Sequence, residues 1–260
     1  MEFGDATAAE RGLILRTVAG SEVVGVSLPG VGDRDEIGVY IEPPEHTIGL
    51  TQTRGSYMRR TQSEGVRSGP GDLDLTMYGL RKFLGLAIKG NPTILLPLFA
   101  PHEQVLDTTV FGWELREMRH DFLSWQTVER FMGYMHAQHE RMLGGGRQGR
   151  VPNRPELIEA HGWDVKYGAH ALRLAYQGFE VAQWGSLTLP MFKGDRERVL
   201  AVRRGERSRE SVSAEIADIE ADIRGFLNAK GPQLPPRADI KRIEQWAISA
   251  TLRYWKEESR

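Results

Sequence analysis

Two aspartates one residue apart, lying just beyond a glycine-serine pair, constrain this chain more than any other feature. Residues Gly20 to Val39 read GSEVVGVSLPGVGDRDEIGV. Upstream, Leu13-Ile14-Leu15-Arg16-Thr17-Val18 is rich in apolar and β-branched residues, as expected of a largely buried strand that feeds a glycine turn. Glycine at position 20 lets backbone approach a ligand closely, so that a phosphate can lie against main-chain N–H groups without a Cβ in the way. Ser21 adds a hydroxyl donor and is placed to cap the helix that follows. Read as a strand of period two, Asp33-Arg34-Asp35 and the following Glu36-Ile37-Gly38-Val39-Tyr40-Ile41 direct both aspartates to one face and Arg34 away from it.

Two carboxylates so placed repel each other unless a cation lies between them. A hard divalent ion with oxygen ligands suits the pair, magnesium most readily when phosphates fill its remaining positions. Asp-x-Asp also occurs in ordinary turns and helix caps, so the upstream Gly20-Ser21-x-x-x-Gly25 is what favours a metal-nucleotide site. A second alternating segment, Gly71-Asp72-Leu73-Asp74-Leu75-Thr76-Met77-Tyr78, offers Asp72 or Asp74 as a third carboxylate. Two-metal nucleotidyl transfer needs about three such ligands.

Gly20-Ser21-x-x-x-Gly25 followed by Asp33-x-Asp35 and Gly38-Val39-Tyr40 resembles the signature of the DNA polymerase beta superfamily of nucleotidyltransferases. The continuation through Asp74 to Phe83 and Lys89-Gly90-Asn91-Pro92-Thr93 resembles one branch, the RNA-repair-associated predicted nucleotidyltransferases of bacteria and phages. Further matches are Phe122-Leu123-Ser124, Phe131-Met132-Gly133-Tyr134, Gln138, Lys166-x-x-x-His170-x-x-Arg173, Gly185-x-Leu187-x-Leu189-Pro190 and Arg203-Arg204-Gly205-Glu206. The resemblance implies that Asp33 and Asp35 bind Mg2+ (or Mn2+), that Asp74 is the third carboxylate, and that Gly20 and Ser21 hold nucleotide phosphates. It further implies a nucleoside triphosphate as substrate and an RNA or tRNA end as acceptor, with a protein hydroxyl or a small molecule as alternatives. A non-catalytic nucleotide or RNA sensor is the competing class. The chain departs from the family pattern at Gly32, where serine is usual, at Glu22, where a basic residue is common, and at Leu96, where the pattern is acidic. The segment between Gly25 and Asp33 is also one residue longer.

The fold expected is α+β: a small mixed sheet flanked by helices over residues 1–120, then a mainly helical domain over 121–260 that closes over the site. At 260 residues the chain is long enough for a sizeable core. Its formal net charge of -1 gives no global signature of a nucleic-acid binder, so any basic surface must be local. Without cysteine there is no disulfide framework and no thiolate chemistry, which fits a cytoplasmic protein. No signal peptide and no apolar run long enough to span a bilayer is read, so no membrane partner is expected.

Along the chain, Met1 to Gly12 reads as a polar lead-in or short helix, and Ile48 to Thr53 as a strand. Arg54 to Gly71, glycine- and serine-rich with Arg54, Arg59, Arg60 and Arg67, reads as an exposed connection; Tyr57 is there to stack on a base if the loop meets substrate. Met77, Leu80, Phe83, Leu84 and Ala87 recur at helical spacing over Thr76 to Lys89, which makes Lys82 a solvated residue or a triphosphate contact. Thr93 to Ala100 reads as core. Helices are expected over Ser124 to Leu143, Asp164 to Trp184, Glu210 to Lys230 with Ser208 as cap, and Ala238 to Trp255, the last as a packing or dimerisation element. The glycines 144–146 end the first of these, and basic residues 147–150 lead to Pro152. Gly231-Pro232-Gln233-Leu234-Pro235-Pro236 reads as a linker. Lys166, His170 and Arg173 fall on one face of their helix, either as phosphate and base or sugar contacts or as a buried histidine flanked by surface cations. His136, His139 and Glu140 lack a further ligand in view and are read as ordinary helix residues.

Overall fold

The computed structural model describes residues 1–30, 32–50, 53–66, 68–145, 154–228 and 234–258. The basic stretch 147–150, Arg67 and the first half of the expected linker lie outside these residues. Six strands form one mixed sheet: β1 (Glu2–Phe3), β2 (Leu13–Val18), β3 (Arg34–Tyr40), β4 (Ser56–Arg60), β5 (Leu73–Gly79) and β6 (Val105–Thr108), in the order β1-β4-β5-β3-β2-β6. Only β3 and β5 run parallel, and their register sets Asp35 opposite Asp74.

Alternation then sorts the two faces. Tyr40, Tyr57, Leu75 and Met77 pack with Ala9 of helix α1 (Ala6–Arg11) on one side. Leu15, Val39 and Ile41, with Ile14 at the irregularity that interrupts alternation between Leu13 and Leu15, join the large core on the other, which continues through Phe131, Leu172 and Ile216 to Ala250. Helices α2 (Gly20–Val24), α3 (Pro44–Thr47), α4 (Leu80–Ala87), α5 (Pro92–Phe99) and α6 (Val110–Glu117) complete the sheet half. The rest is helical: α7 (Trp125–Met142), α8 (Pro155–His161), α9 (Val165–Trp184), α10 (Lys193–Arg203), α11 (Arg209–Asn228) and α12 (Ile240–Glu258). No helix among the described residues is long and apolar enough to cross a membrane.

Helix starts follow side-chain chemistry. Asn91 accepts from the N–H of Thr93, Ser124 from that of Thr127, Asp164 from Lys166 and Tyr167, and Ser208 from Ser211. α9 is the axis of the helical half and is buried nearly all round against α7, α10 and α11. Glycine permits the closeness of that packing: a Cβ on Gly168 would lie 2.3 Å from the Trp163 ring.

Several expectations are corrected. Residues 48–50 form turns rather than a strand; the strand is β4, inside the segment expected to be an exposed connection. Tyr57 is 2% exposed and donates from its hydroxyl to Glu2 at 3.0 Å, so it is not a stacking surface. The helix expected from Thr76 begins at Leu80, because β5 runs on through Gly79. Ser21 does not cap α2. Its cap position is Ala19, and the Ser21 hydroxyl pairs with that of Ser27 at 3.0 Å. Leu234 to Pro236 is not a free linker: the carbonyls of Pro235 and Pro236 accept from Trp125 and Gln126 at the start of α7. The last helix, read as a packing or dimerisation element, does pack on its own chain, with the Trp255 indole donating to the carbonyl of Glu42, the Tyr254 hydroxyl to that of Arg11, and the Trp246 indole to Glu114.

Candidate active site

The register of β3 and β5 produces a carboxylate cluster. Asp33, one residue before β3, Asp35 on it and Asp74 on β5 bring ligand oxygens within 4.8 Å of one another, and they are the group of this kind found among the described residues. Burial, then the charges of Asp33 and Asp74, push the Asp35 carboxyl up to about 6, against the opposing pull of Lys166 and Arg60. Such mutual repulsion fits a site built for a divalent cation held by oxygen donors. Asp72, the other candidate, is spent on its own turn: it accepts from Thr61 at 2.8 Å and from the Gly69 N–H at 2.9 Å.

Asp74 is held from the segment expected to be a solvated connection. Gln62 donates to its Oδ1 at 2.8 Å, Ser68 to its Oδ2 at 3.1 Å, and the Arg60 guanidinium lies 3.3 Å away. Gly20 serves Asp35. With φ +62, its absent Cβ would sit 1.9 Å from Asp35 Oδ2.

The carboxylates line a cavity of about 360 Å³ whose other wall is α9 and α10. Gly20, Ser21, Lys166, His170, Arg173 and Arg203 line it with them, as do Thr76 and Tyr78, which alternate with Asp74 along β5. Arg173 is buried, its Nε has no hydrogen-bond partner, and burial draws its guanidinium down to about 10. A buried cation without an anion is costly unless something supplies one. His170 is exposed to the cavity and Arg173 is buried, the reverse of a buried histidine flanked by surface cations; the protein packed around the ring, and then Arg173, Lys166, Arg203 and Arg154, hold His170 well below the usual histidine range, which favours its neutral form. Lys166 is likewise lowered, by burial and by Arg154 and Arg203, with Asp33 and Asp35 acting in the opposite direction.

Lys82 stands apart from the cavity lining. Its ammonium donates to the carbonyl of Arg54 at 2.9 Å and to Ser56 Oγ at 3.0 Å. His136 and His139 reach Glu220 and Ser213 on α11 and tie α7 to it. Sequence reasoning missed Arg60, Gln62 and Ser68 as partners of Asp74, and gave Arg203 no role beyond its place in the Arg203-Arg204-Gly205-Glu206 match. No local pattern marks these positions; the alternation Asp74, Thr76, Tyr78 was the available signal for the rest of the wall.

A mixed sheet carrying three clustered carboxylates, faced by a cationic helical wall, is the arrangement of a polymerase-beta-like nucleotidyltransferase. The RNA repair pathway DNA polymerase beta family matches residues 5–244, and the chain belongs to that family. Among solved structures, a nucleotidyltransferase-like protein from Exiguobacterium sibiricum 255-15 is similar, with 11% sequence identity and a TM-score of 0.31, over 86% of this chain and 71% of that one. No curated protein matches.

Proposed function

We propose that the protein transfers a nucleoside monophosphate from a nucleoside triphosphate to a hydroxyl, most simply that of an RNA or tRNA end. The observation that carries this is the opposition, across one cavity, of the Asp33, Asp35 and Asp74 carboxylates to the buried, unpartnered Arg173. Acids that attract metal face a cation that lacks an anion, and a metal-bound triphosphate satisfies both. In this reading residues 1–120 supply the carboxylates and residues 121–260 close over them with Lys166, His170, Arg173 and Arg203.

Asp33, Asp35 and Asp74 would hold Mg2+ or Mn2+. Bound there, the metal supplies charge neutralisation and an acidified attacking hydroxyl. The side chains do the rest by position. Arg173, Lys166 and Arg203 bind the triphosphate, neutral His170 hydrogen-bonds base or sugar, and Gly20 and Ser21 border the phosphates. Asp74, kept in place by Gln62 and Ser68, orients the incoming hydroxyl and accepts its proton. The hydroxyl oxygen bonds to the α-phosphorus as the bond to the β-phosphate oxygen breaks, and pyrophosphate leaves with the electron pair. The absence of cysteine suits a reducing cytoplasm.

The test is magnesium- or manganese-dependent transfer of label from each α-labelled triphosphate to total RNA, beside a protein-only reaction and an Asp33→Ala/Asp35→Ala control. Label on RNA that disappears in the control is expected. Label on protein alone refutes RNA as acceptor, and transfer surviving in the control refutes the site.

A further inference from the structure

The cavity over the carboxylates has a neighbour. A second cleft, of about 530 Å³, shares Gly32, Asp33, Lys166 and Arg203 with it, so the two spaces meet at the acidic cluster. Transfer at phosphorus brings attacking and leaving oxygens roughly in line. A nucleotidyltransferase therefore needs two spaces joined at its carboxylates, one for the triphosphate and one for the acceptor.

Their linings differ in a way that assigns them. Arg173 and His170 belong to the first cavity only, and the unpartnered buried guanidinium marks it for the triphosphate. Arg154 and Ser68 belong to the second only. Ser68 connects that cleft to the group expected to receive the acceptor's proton, since its hydroxyl donates to Asp74. Arg154 is held in place by Asp164 at 3.3 Å and by the Tyr167 ring, 5.3 Å below its guanidinium. A guanidinium has five N–H donors, and the Asp164 contact is made through Nη1 alone. Gly30, Gly32 and Gly69 lie on the same wall, and among the described residues a Cβ built on any of them meets nothing within 4 Å. Its lining carries three cations, Arg154, Lys166 and Arg203, against the carboxylates of Asp33 and Glu156; the surplus comes from Lys166 and Arg203, which it shares with the first cavity, and Arg154 is the cation that belongs to this cleft alone.

We propose that this second cleft is the acceptor groove and that Arg154 holds a backbone phosphate of the acceptor, which is therefore a polynucleotide strand and not a protein side chain or a neutral small molecule. The assignment rests on the nucleotidyltransferase reading and adds the acceptor's chemistry and its place.

The experiment measures two affinities on the same full-length proteins: a short fluorescein-labelled single-stranded RNA by anisotropy, and a non-hydrolysable nucleoside triphosphate with Mg2+ by calorimetry. Arg154→Ala should weaken RNA binding about tenfold and flatten its salt dependence by about one phosphate contact, with a much smaller change in nucleotide affinity, since Arg154 lies outside the first cavity and reaches Lys166 and His170 only through its field. Gly69→Glu, which keeps Arg154 and adds an anion where the structure has open space, should also weaken RNA alone. Arg173→Ala should do the reverse, losing nucleotide and keeping RNA. Unchanged RNA affinity in both cleft variants, or equal losses of RNA and nucleotide in Arg154→Ala, would overturn the assignment. Wild-type protein that binds nucleotide but not RNA would give the cleft to another class of acceptor and also overturn it. Wild-type protein that binds no nucleotide would instead remove the underlying reading, and a thermal melt of each variant separates misfolding from all of these.

Discussion

Gly20→Ala tests why the chain has glycine beside its aspartates. At φ +62 an alanine is in the left-handed region, which costs about 1–2 kcal/mol. The larger effect is on Asp35. The new methyl would lie 1.9 Å from Oδ2, 2.8 Å from Cγ and 3.0 Å from Cβ. Rotating the carboxylate about its own axis moves Oδ2 but leaves Cγ too close, so the whole carboxyl group must swing away from Asp33 and Asp74. Displacement of a reacting constellation by about an ångström costs roughly a hundredfold in rate. We expect Gly20→Ala to fold, to melt a few degrees lower, and to lose about two orders of magnitude of nucleotidyl transfer. Its affinity for Mn2+, followed by paramagnetic resonance, should fall, while metal-free nucleotide affinity stays near wild type. Full metal affinity with lost nucleotide affinity would show that position 20 serves the phosphates, and full activity would refute both accounts.

Three further outcomes follow from the charges. The metal-free protein should lose stability as pH rises from about 4 to 6, because folding raises the Asp35 carboxyl from 3.8 to about 6 and the folded state alone keeps that proton in the window. Asp35→Asn should remove Asp35's share of this slope, leaving that of Glu42, Glu180 and Asp195, which burial also raises, and stabilise the metal-free protein at neutral pH by about 3 kcal/mol, read from denaturant midpoints at several pH values; a slope in the variant equal to that of the wild type would refute it. Arg173→Met should raise the melting temperature while abolishing nucleotide binding, since it removes a desolvated, unpaired cation at a gain of about 1–3 kcal/mol; a lower melting temperature would mean Arg173 already has a stabilising partner. Gln62→Ala should lower transfer about tenfold and raise the Mn2+ concentration needed for half-maximal rate, by leaving Asp74 Oδ1 with Arg60 alone. An unchanged metal requirement would reduce Gln62 to a packing residue.

What was legible in the sequence was what depends on period. Alternation placed Asp33 and Asp35 on one face, and the four- and three-residue steps of Lys166, His170 and Arg173 placed them on one face of α9, all of which line one cavity. Asp72 and Asp74 share a parity, so alternation could not choose between them. The choice falls to the register of β5 against β3, which sets Asp74 opposite Asp35, and to the turn that consumes Asp72. Residues 56–60 of the segment 54–71 were misread for the same reason. Its glycines, serines and arginines look solvated, but β4 within it pairs with both β1 and β5, a pairing between distant residues that leaves no local mark. That pairing buries Tyr57 and brings Arg60 and Gln62 to Asp74. Between β4 and β5 the connection is exposed as expected at Thr61, Ser63, Glu64, Gly65 and Val66, while Gln62, 8% exposed, and Ser68 turn inward to the third carboxylate. Polar residues in a glycine-rich stretch beside a carboxylate strand thus have two destinations, water or the carboxylate, and only the strand pairing that fixes their distance decides which.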